Sequence, residues 1–220
     1  MASAGTAVAQ ATSGELEEIL APIAPEMAQV EALLAKHSSS DVGLVNEIAR
    51  YIRAGGGKRV RPALVLLSAR LCGHSSERAE LFGAVVELIH TATLLHDDII
   101  DGAELRRGRV TVNQRWGNDV TVLLGDFLFA KSIALSLAPE NYAMVRLLTD
   151  VTVRMIEGET IEVARRASAT VSAADHVELI RRKTADLFAA CAQIGALLGS
   201  ADEQRQRALA SYGLNLGICF

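Results

Sequence analysis

Aromatic residues make up only 4% of this 220-residue sequence and proline occurs four times, whereas half of the residues are hydrophobic. That profile disfavours a β-sandwich or barrel and favours a core of Ala and Leu on helices, so the expected fold class is all-α. Cysteine is scarce too. Cys72, Cys191 and Cys219 are odd in number and share no paired spacing, which argues against a disulfide framework or a zinc site and suits a reducing cytoplasm. Basic charge is not in excess, the formal net charge being −4, so no nucleic-acid partner is expected. Apolar runs such as Ala84 to Leu95 are broken by Glu87 and His90, and no transmembrane segment is expected. Residues 1–14 are small and polar, without the basic start and apolar stretch of a signal peptide. They are expected to form a disordered tail ahead of one helical domain over residues 15–220.

Helical periodicity runs from Glu15 to about Lys36, interrupted by Pro22 and Pro25, and a second helix follows the Ser38-Ser39-Ser40-Asp41 loop. Gly55-Gly56-Gly57 ends that helix, and Lys58, Arg59 and Arg61 follow at once, with Pro62 in the first turn of the next. Cationic side chains at a helix start oppose the macrodipole. A bound anion there would be favoured both by those charges and by the free amides, which points to a phosphate site. Further helices are expected from Ser76 to Asp101, from an Asn118-Asp119 cap to Leu137, from Pro139-Glu140 to about Arg165, and from a Ser172 cap through Leu197. The last starts near Ala201 and is still apolar at Phe220.

The most demanding stretch is Asp97-Asp98-Ile99-Ile100-Asp101, at the end of a long apolar helix. Asp97 and Asp101 are one turn apart on one face, while Asp98 is rotated about 100° from Asp97. Like charges at that spacing, beside Leu and Ile, call for a counter-charge. Mg²⁺ fits, because it binds one or two carboxylates, keeps several waters and completes its shell with phosphate oxygens. A solvated acidic helix end is the plainer alternative. His90 lies two turns below on nearly the same face, and the Arg106-Arg107-Gly108-Arg109 loop can fold back towards the carboxylates with guanidinium groups suited to phosphate.

Gly56-Gly57-Lys58-Arg59-Val60-Arg61-Pro62, Glu87-Leu88-Ile89-His90, the Asp97 to Asp101 run, Arg106-Arg107-Gly108, Gly125-Asp126-Phe127-Leu128, Glu157-Gly158-Glu159 and Lys183-Thr184-Ala185 together resemble the trans-isoprenyl (polyprenyl) diphosphate synthases in order and spacing. The resemblance covers about residues 45–220. It implies a helical bundle around a deep cavity and a Mg²⁺-dependent 1′–4 head-to-tail condensation of an allylic diphosphate with isopentenyl diphosphate. By resemblance, Asp97 and Asp101 bind the metal with Asp98 in support, and Arg106, Lys183 and Thr184 hold the allylic diphosphate. Lys58, Arg61, His90 and Arg107 would hold isopentenyl diphosphate. A homodimer is implied, with no more than transient membrane contact for product release.

Chain length is expected to be set below Asp97, at Thr93 and Ala92 and then at Ile89, where short-chain relatives carry bulky aromatics at one or both of the first two positions. With none here, a long product of about C30 to C50 is expected, the range of a quinone side chain. Two departures stand out. Glu162 occupies a place where relatives usually have Gln, and the family's second aspartate-rich motif is absent from a sequence ending at Phe220, so the 220 residues alone are expected to be a poor catalyst. That absence supports a second reading, a non-catalytic subunit of a heteromeric prenyl synthase. A third reading takes His96-Asp97 as the doublet of an HD-type metal phosphohydrolase, with His74 and Asp126 completing the ligands, but it leaves the glycine-rich and Arg-Arg-Gly motifs unexplained.

Overall fold

The computed structural model describes residues 14–138, 141–166 and 172–220. The expected tail lies outside them except for Gly14, as does the Pro139-Glu140 helix start. Residues 14–20 are helical, the backbone tightens into a 3₁₀ turn at Ala21–Ile23, and helix resumes as α1 (Ala24–His37). Pro22 and Pro25 each fall in a first turn, where the missing N–H has no intrahelical partner to lose. They divide the segment without ending it. Next come α2 (Gly43–Ala54), α3 (Val60–Leu71) and α4 (Glu77–Ile100).

A loop was expected after α4, but the chain forms an antiparallel ribbon of β1 (Leu105–Arg106) and β2 (Arg109–Val110). Its tip is Arg107 and Gly108 with φ of 52° and 74°, the left-handed pair that a tight hairpin requires. After α5 (Val112–Trp116) comes α6 (Asn118–Leu137), which begins at Asn118 itself, with Gly117 and not Asn118 in the cap position. The rest is α7 (Tyr142–Arg165), α8 (Ala173–Ile180), a π-helical turn at Arg181–Ala185 that runs directly into α9 (Asp186–Leu198), and α10 (Glu203–Cys219).

Helix α4 is apolar nearly all round because it serves two cores at once. One face contributes Phe82, Val85, Val86 and Ile89 to a cluster with Leu64 and Val65 of α3, Leu148, Val151 and Met155 of α7, and Leu187 and Phe188 of α9. The other contributes Ala84, Leu88, Ala92 and Leu95 to a cluster with Val30 and Leu34 of α1, Ile48 of α2, and Leu124 and Leu128 of α6. The C-terminal end of α4 is thus fixed from both sides, and that end carries the aspartates. Gly158 serves the same frame: a Cβ there would lie 2.8 Å from Cβ of Arg182, so its absence lets α7 approach the π turn.

Helix α6 comes nearest to a membrane-spanning segment without overturning the expectation of none. Among the described residues it is long and apolar enough, by length and composition, to cross a membrane, with mean hydropathy 1.7 and a third of its apolar window buried. Its buried residues, Leu124 and Leu128 among them, pack in the cluster shared with α4, while Val122, Leu123 and Leu137 are exposed.

Candidate functional site

The three carboxylates of α4 have three different environments. Asp97 is half-buried and borders a cavity of about 610 Å³ between α4 and α7, lined also by Thr93, Ile100, Met155, Ile156, Glu159 and Lys183. Burial, and then the Glu159 carboxylate, push the Asp97 carboxyl up to about 6; Asp101 adds to the push, while Lys183 and Arg106 oppose it. Asp101 is bound to the guanidinium of Arg166, which also donates to the Ile100 carbonyl at 2.9 Å. Nothing in the sequence pairs Arg166 with Asp101, because they are 65 residues apart.

Asp98, expected to support the metal pair, is engaged by Arg106 in this structure. It is 4% exposed and accepts from Arg106 through Nε at 2.8 Å and Nη2 at 2.7 Å. It lines the small cavity beneath the ribbon, not the one beside Asp97. Its task is to anchor Arg106. We expect Asp98→Ala to cost about 1–3 kcal/mol, because it strands a guanidinium and frees the ribbon; urea unfolding checks this, and an unchanged midpoint would remove the anchoring role.

The cationic residues collect on the other side of α4. Lys58, Arg61, His90, Arg106 and Arg107 border one cavity of about 850 Å³. The glycine turn makes this possible: Arg59 enters α3 with φ of 49° and is drawn away to Glu31 and to Glu87 at 2.8 Å. Lys58 stays exposed, and Arg61 stays in the cavity wall. Arg61 is nearly buried, its Nε has no partner, and its guanidinium lies 4.9 Å from the Phe188 ring centre. Burial, then the guanidinium charges of Arg61, Arg107, Arg106 and Arg59, hold His90 well below the ordinary imidazole range. His90 is therefore neutral beside Arg61 and Arg107, which have no carboxylate partner among the described residues. Arg59 and Arg106 are paired with Glu31, Glu87 and Asp98, and the remaining positive balance suits an anion.

Lys183 and Thr184 are adjacent in sequence but open on different cavities. Consecutive residues of a helix diverge by roughly 100°, and here Lys183 lines the Asp97 cavity and Thr184 the cationic one. Burial works against the charge of Lys183, but Glu159, at 2.6 Å, and Glu162 outweigh it and hold the ammonium above its ordinary value. The expected allylic set is therefore divided: Asp97 and Lys183 share one cavity, whereas Arg106 and Thr184 stand with Lys58, Arg61, His90 and Arg107. Glu159 and Glu162 are the partners that sequence reading left without a role. Their signal was present in the i, i+3 spacing on a helix, which puts both on the face that meets Lys183.

Of the residues expected to set chain length, Thr93 borders the Asp97 cavity, and its hydroxyl is occupied by the His90 carbonyl at 2.8 Å. Ala92 is corrected: five residues before Asp97, it is turned about 140° round the helix and is buried in the cluster shared with α6. Ile89 is fully buried in the cluster that contains Met155, one of the cavity-lining residues.

The donor set suits a hard divalent cation. It is all oxygen, Asp97 is held above its normal range by burial and then by the Glu159 carboxylate, and Oε1 of Glu159 is buried without a partner. Among the described residues no group of three or more His, Cys, Asp or Glu could hold a metal by itself. The residues nominated for a phosphohydrolase are not brought together: His96 approaches Asp126, at 3.5 Å, but His74 is hydrogen-bonded to Ser76 at the opposite end of α4.

Fold and site together define an all-α bundle with an acidic cavity and a cationic cavity on either side of one aspartate-rich helix end. The chain belongs to the polyprenyl synthetase family, whose model matches residues 42–220. It is 34% identical over 205 residues to octaprenyl diphosphate synthase of Escherichia coli, covering 93% of this chain and 64% of that protein. The crystal structure of a decaprenyl diphosphate synthase from Rhodobacter capsulatus superposes with a TM-score of 0.89 at 37% identity, over 92% of this chain and 63% of that one. A polyprenyl synthase from Caulobacter crescentus, solved in complex with calcium and isoprenyl diphosphate, gives a TM-score of 0.89 at 38% identity, over 92% and 62% of the two chains. The chain thus spans somewhat less than two thirds of these relatives.

Proposed function

We propose that this protein is a Mg²⁺-dependent prenyltransferase that condenses an allylic diphosphate with isopentenyl diphosphate, head to tail, into a long all-trans polyprenyl diphosphate for a quinone side chain. The observation that carries this reading is the division of charge across the end of α4, with Asp97, Glu159 and Lys183 facing an apolar cavity and Arg61, His90 and Arg107 facing another. One reaction consumes two diphosphates, and they need separate cradles.

In this reading Asp97 and Asp101 would hold Mg²⁺, which neutralises the diphosphate that leaves the allylic carbon. Asp101 must first release Arg166. Lys183, held charged by its two carboxylates, stands beside the same leaving group as a fixed cation. Met155, Ile156 and Val163 line the cavity with apolar surface, so they house the prenyl tail and keep water from the electron-poor carbon. Opposite, Arg61, Arg107 and neutral His90 orient isopentenyl diphosphate. The allylic C–O bond breaks, a C1′–C4 bond forms, and the freed diphosphate takes the proton that leaves. No side-chain nucleophile takes part.

The Arg106 assignment moves accordingly, and the informative contrast is Arg61→Ala against Lys183→Ala. We expect the first to raise KM for isopentenyl diphosphate about tenfold or more and the second to do so for the allylic primer, each equivalent to one lost charge-assisted contact. If both variants raised KM for the same substrate only, the two-cradle reading would fail. We further propose that the exposed Val122, Leu123 and Leu137 of α6 meet a second copy of the chain in a homodimer, and that the protein works in the cytoplasm, where its three free cysteines stay reduced.

A further inference from the structure

The β1–β2 ribbon presents Arg106 and Arg107 to the cationic cavity, yet two strands of two residues have no stability of their own. Its register also places Arg106 directly opposite Arg109, a like-charge pair that works against the hairpin. Each arginine has a separate remedy. Arg106 is taken by Asp98. Arg109 is taken by Tyr51, from the last turn of α2: its guanidinium sits 4.3 Å over the Tyr51 ring centre and its Nη1 donates to the Tyr51 carbonyl at 3.2 Å. The Tyr51 hydroxyl in turn donates to the Val110 carbonyl at 2.7 Å. Beyond it, Trp116 packs edge-on at 5.0 Å, and Arg115 lies over both rings. The tip follows from this clamp, since Arg107 donates to the Gly56 carbonyl in the turn that α2 leads into.

We propose that Tyr51 is a positioning residue: by holding the Arg109 guanidinium against its ring and carbonyl and pinning β2 to α2, it fixes the ribbon so that Arg107 faces the cavity proposed for isopentenyl diphosphate. Tyr51 borders the small cavity under the ribbon and neither of the two large ones, so it acts through Arg107 and touches no substrate. The inference rests on the two-cradle reading above. It has a directional consequence, because the ribbon feeds the cationic cavity and contributes nothing to the lining of the Asp97 cavity.

The test is calorimetric binding of isopentenyl diphosphate to the full-length protein, with KM for both substrates, kcat and Tm measured alongside, for wild type, Tyr51→Leu and Tyr51→Phe. Leu is expected to raise Kd and KM for isopentenyl diphosphate about tenfold while leaving KM for the primer within about twofold. Phe keeps the ring over Arg109 and is expected to recover most of that loss. Arg109→Gln breaks the same contact from the ribbon side but also removes the charge that faces Arg106. It is therefore expected to weaken isopentenyl diphosphate binding in the same direction by a smaller factor, about threefold, even if Leu at 51 does not fold. Unchanged isopentenyl diphosphate binding in Leu and Gln alike, or weakening of both substrates in step with a fall in Tm, would overturn the proposal. A wild type that binds isopentenyl diphosphate but makes no product would defeat the enzymatic reading alone, leaving the Tyr51 comparison to be read from Kd. A wild type that binds neither diphosphate would overturn both.

Discussion

Asp97→Ala is expected to abolish condensation, with kcat reduced at least about a thousandfold as metal-assisted charge stabilisation is lost, while making the metal-free protein more stable at neutral pH. The two signs differ because the site is costly when empty. Asp97 titrates near 6 in the folded protein against an ordinary 3.8, so between those values the folded state holds more protons than the unfolded one. Stability contributed at this position is therefore greatest below about pH 4 and falls as pH rises to 6, after which the penalty is constant. For a half-buried carboxyl, screened in part by water, it is on the order of 1–2 kcal/mol at pH 7. Thermal unfolding in chelator at pH 4 and pH 7 reads this: the variant should gain Tm over wild type at pH 7 and lose that advantage at pH 4. Lower Tm at both pH values together with lost activity would make Asp97 a structural residue.

Thr93→Phe is expected to change the product from about C30–C50 to about C15–C20, since each isoprene unit needs roughly one helical turn of length and Thr93 stands one turn below Asp97. Thr93 borders the cavity, and its hydroxyl bonds only to its own helix, so the larger ring enters open space without stranding a buried partner. Ala92→Phe is expected to behave differently. Ala92 is 3% exposed and packs with Leu88, Leu95, Leu124 and Leu128, so a phenyl ring there overfills the α4–α6 contact at about 1–3 kcal/mol and leaves the cavity open. Chromatography of the dephosphorylated products separates the two outcomes. Full-length product from Thr93→Phe, or shortening by Ala92→Phe with normal stability, would place the floor elsewhere.

The helices were legible in the sequence because their signals are local: apolar periodicity, the Ser76 and Ser172 caps, and the glycines at 55–57. The misreadings have equally physical causes. A six-residue hairpin with two residues in each strand is too short for strand periodicity, and the positive φ of Arg107 and Gly108 closes it. Lys183 and Thr184 were assigned to one diphosphate on the family resemblance, whereas adjacent helical residues diverge by roughly 100° and these two line different cavities. Ala92 was put forward on the family resemblance, and its packing against α6 depends on contacts that residue counting does not show. The pairing of Asp98 with Arg106 was not foreseen because Arg106 follows a chain reversal that spacing alone does not reveal. Arg166 and Tyr51 carry no motif at all; their importance comes from contacts with Asp101 and Arg109 across 65 and 58 residues.

The most direct test is to incubate the full-length protein with labelled isopentenyl diphosphate, an allylic primer and Mg²⁺, and to resolve the labelled products by length. The account predicts an Mg²⁺-dependent all-trans product of about C30–C50, limited by the depth of the cavity below Thr93. No incorporation of label, or a product of C20 or less from the wild type, would contradict it.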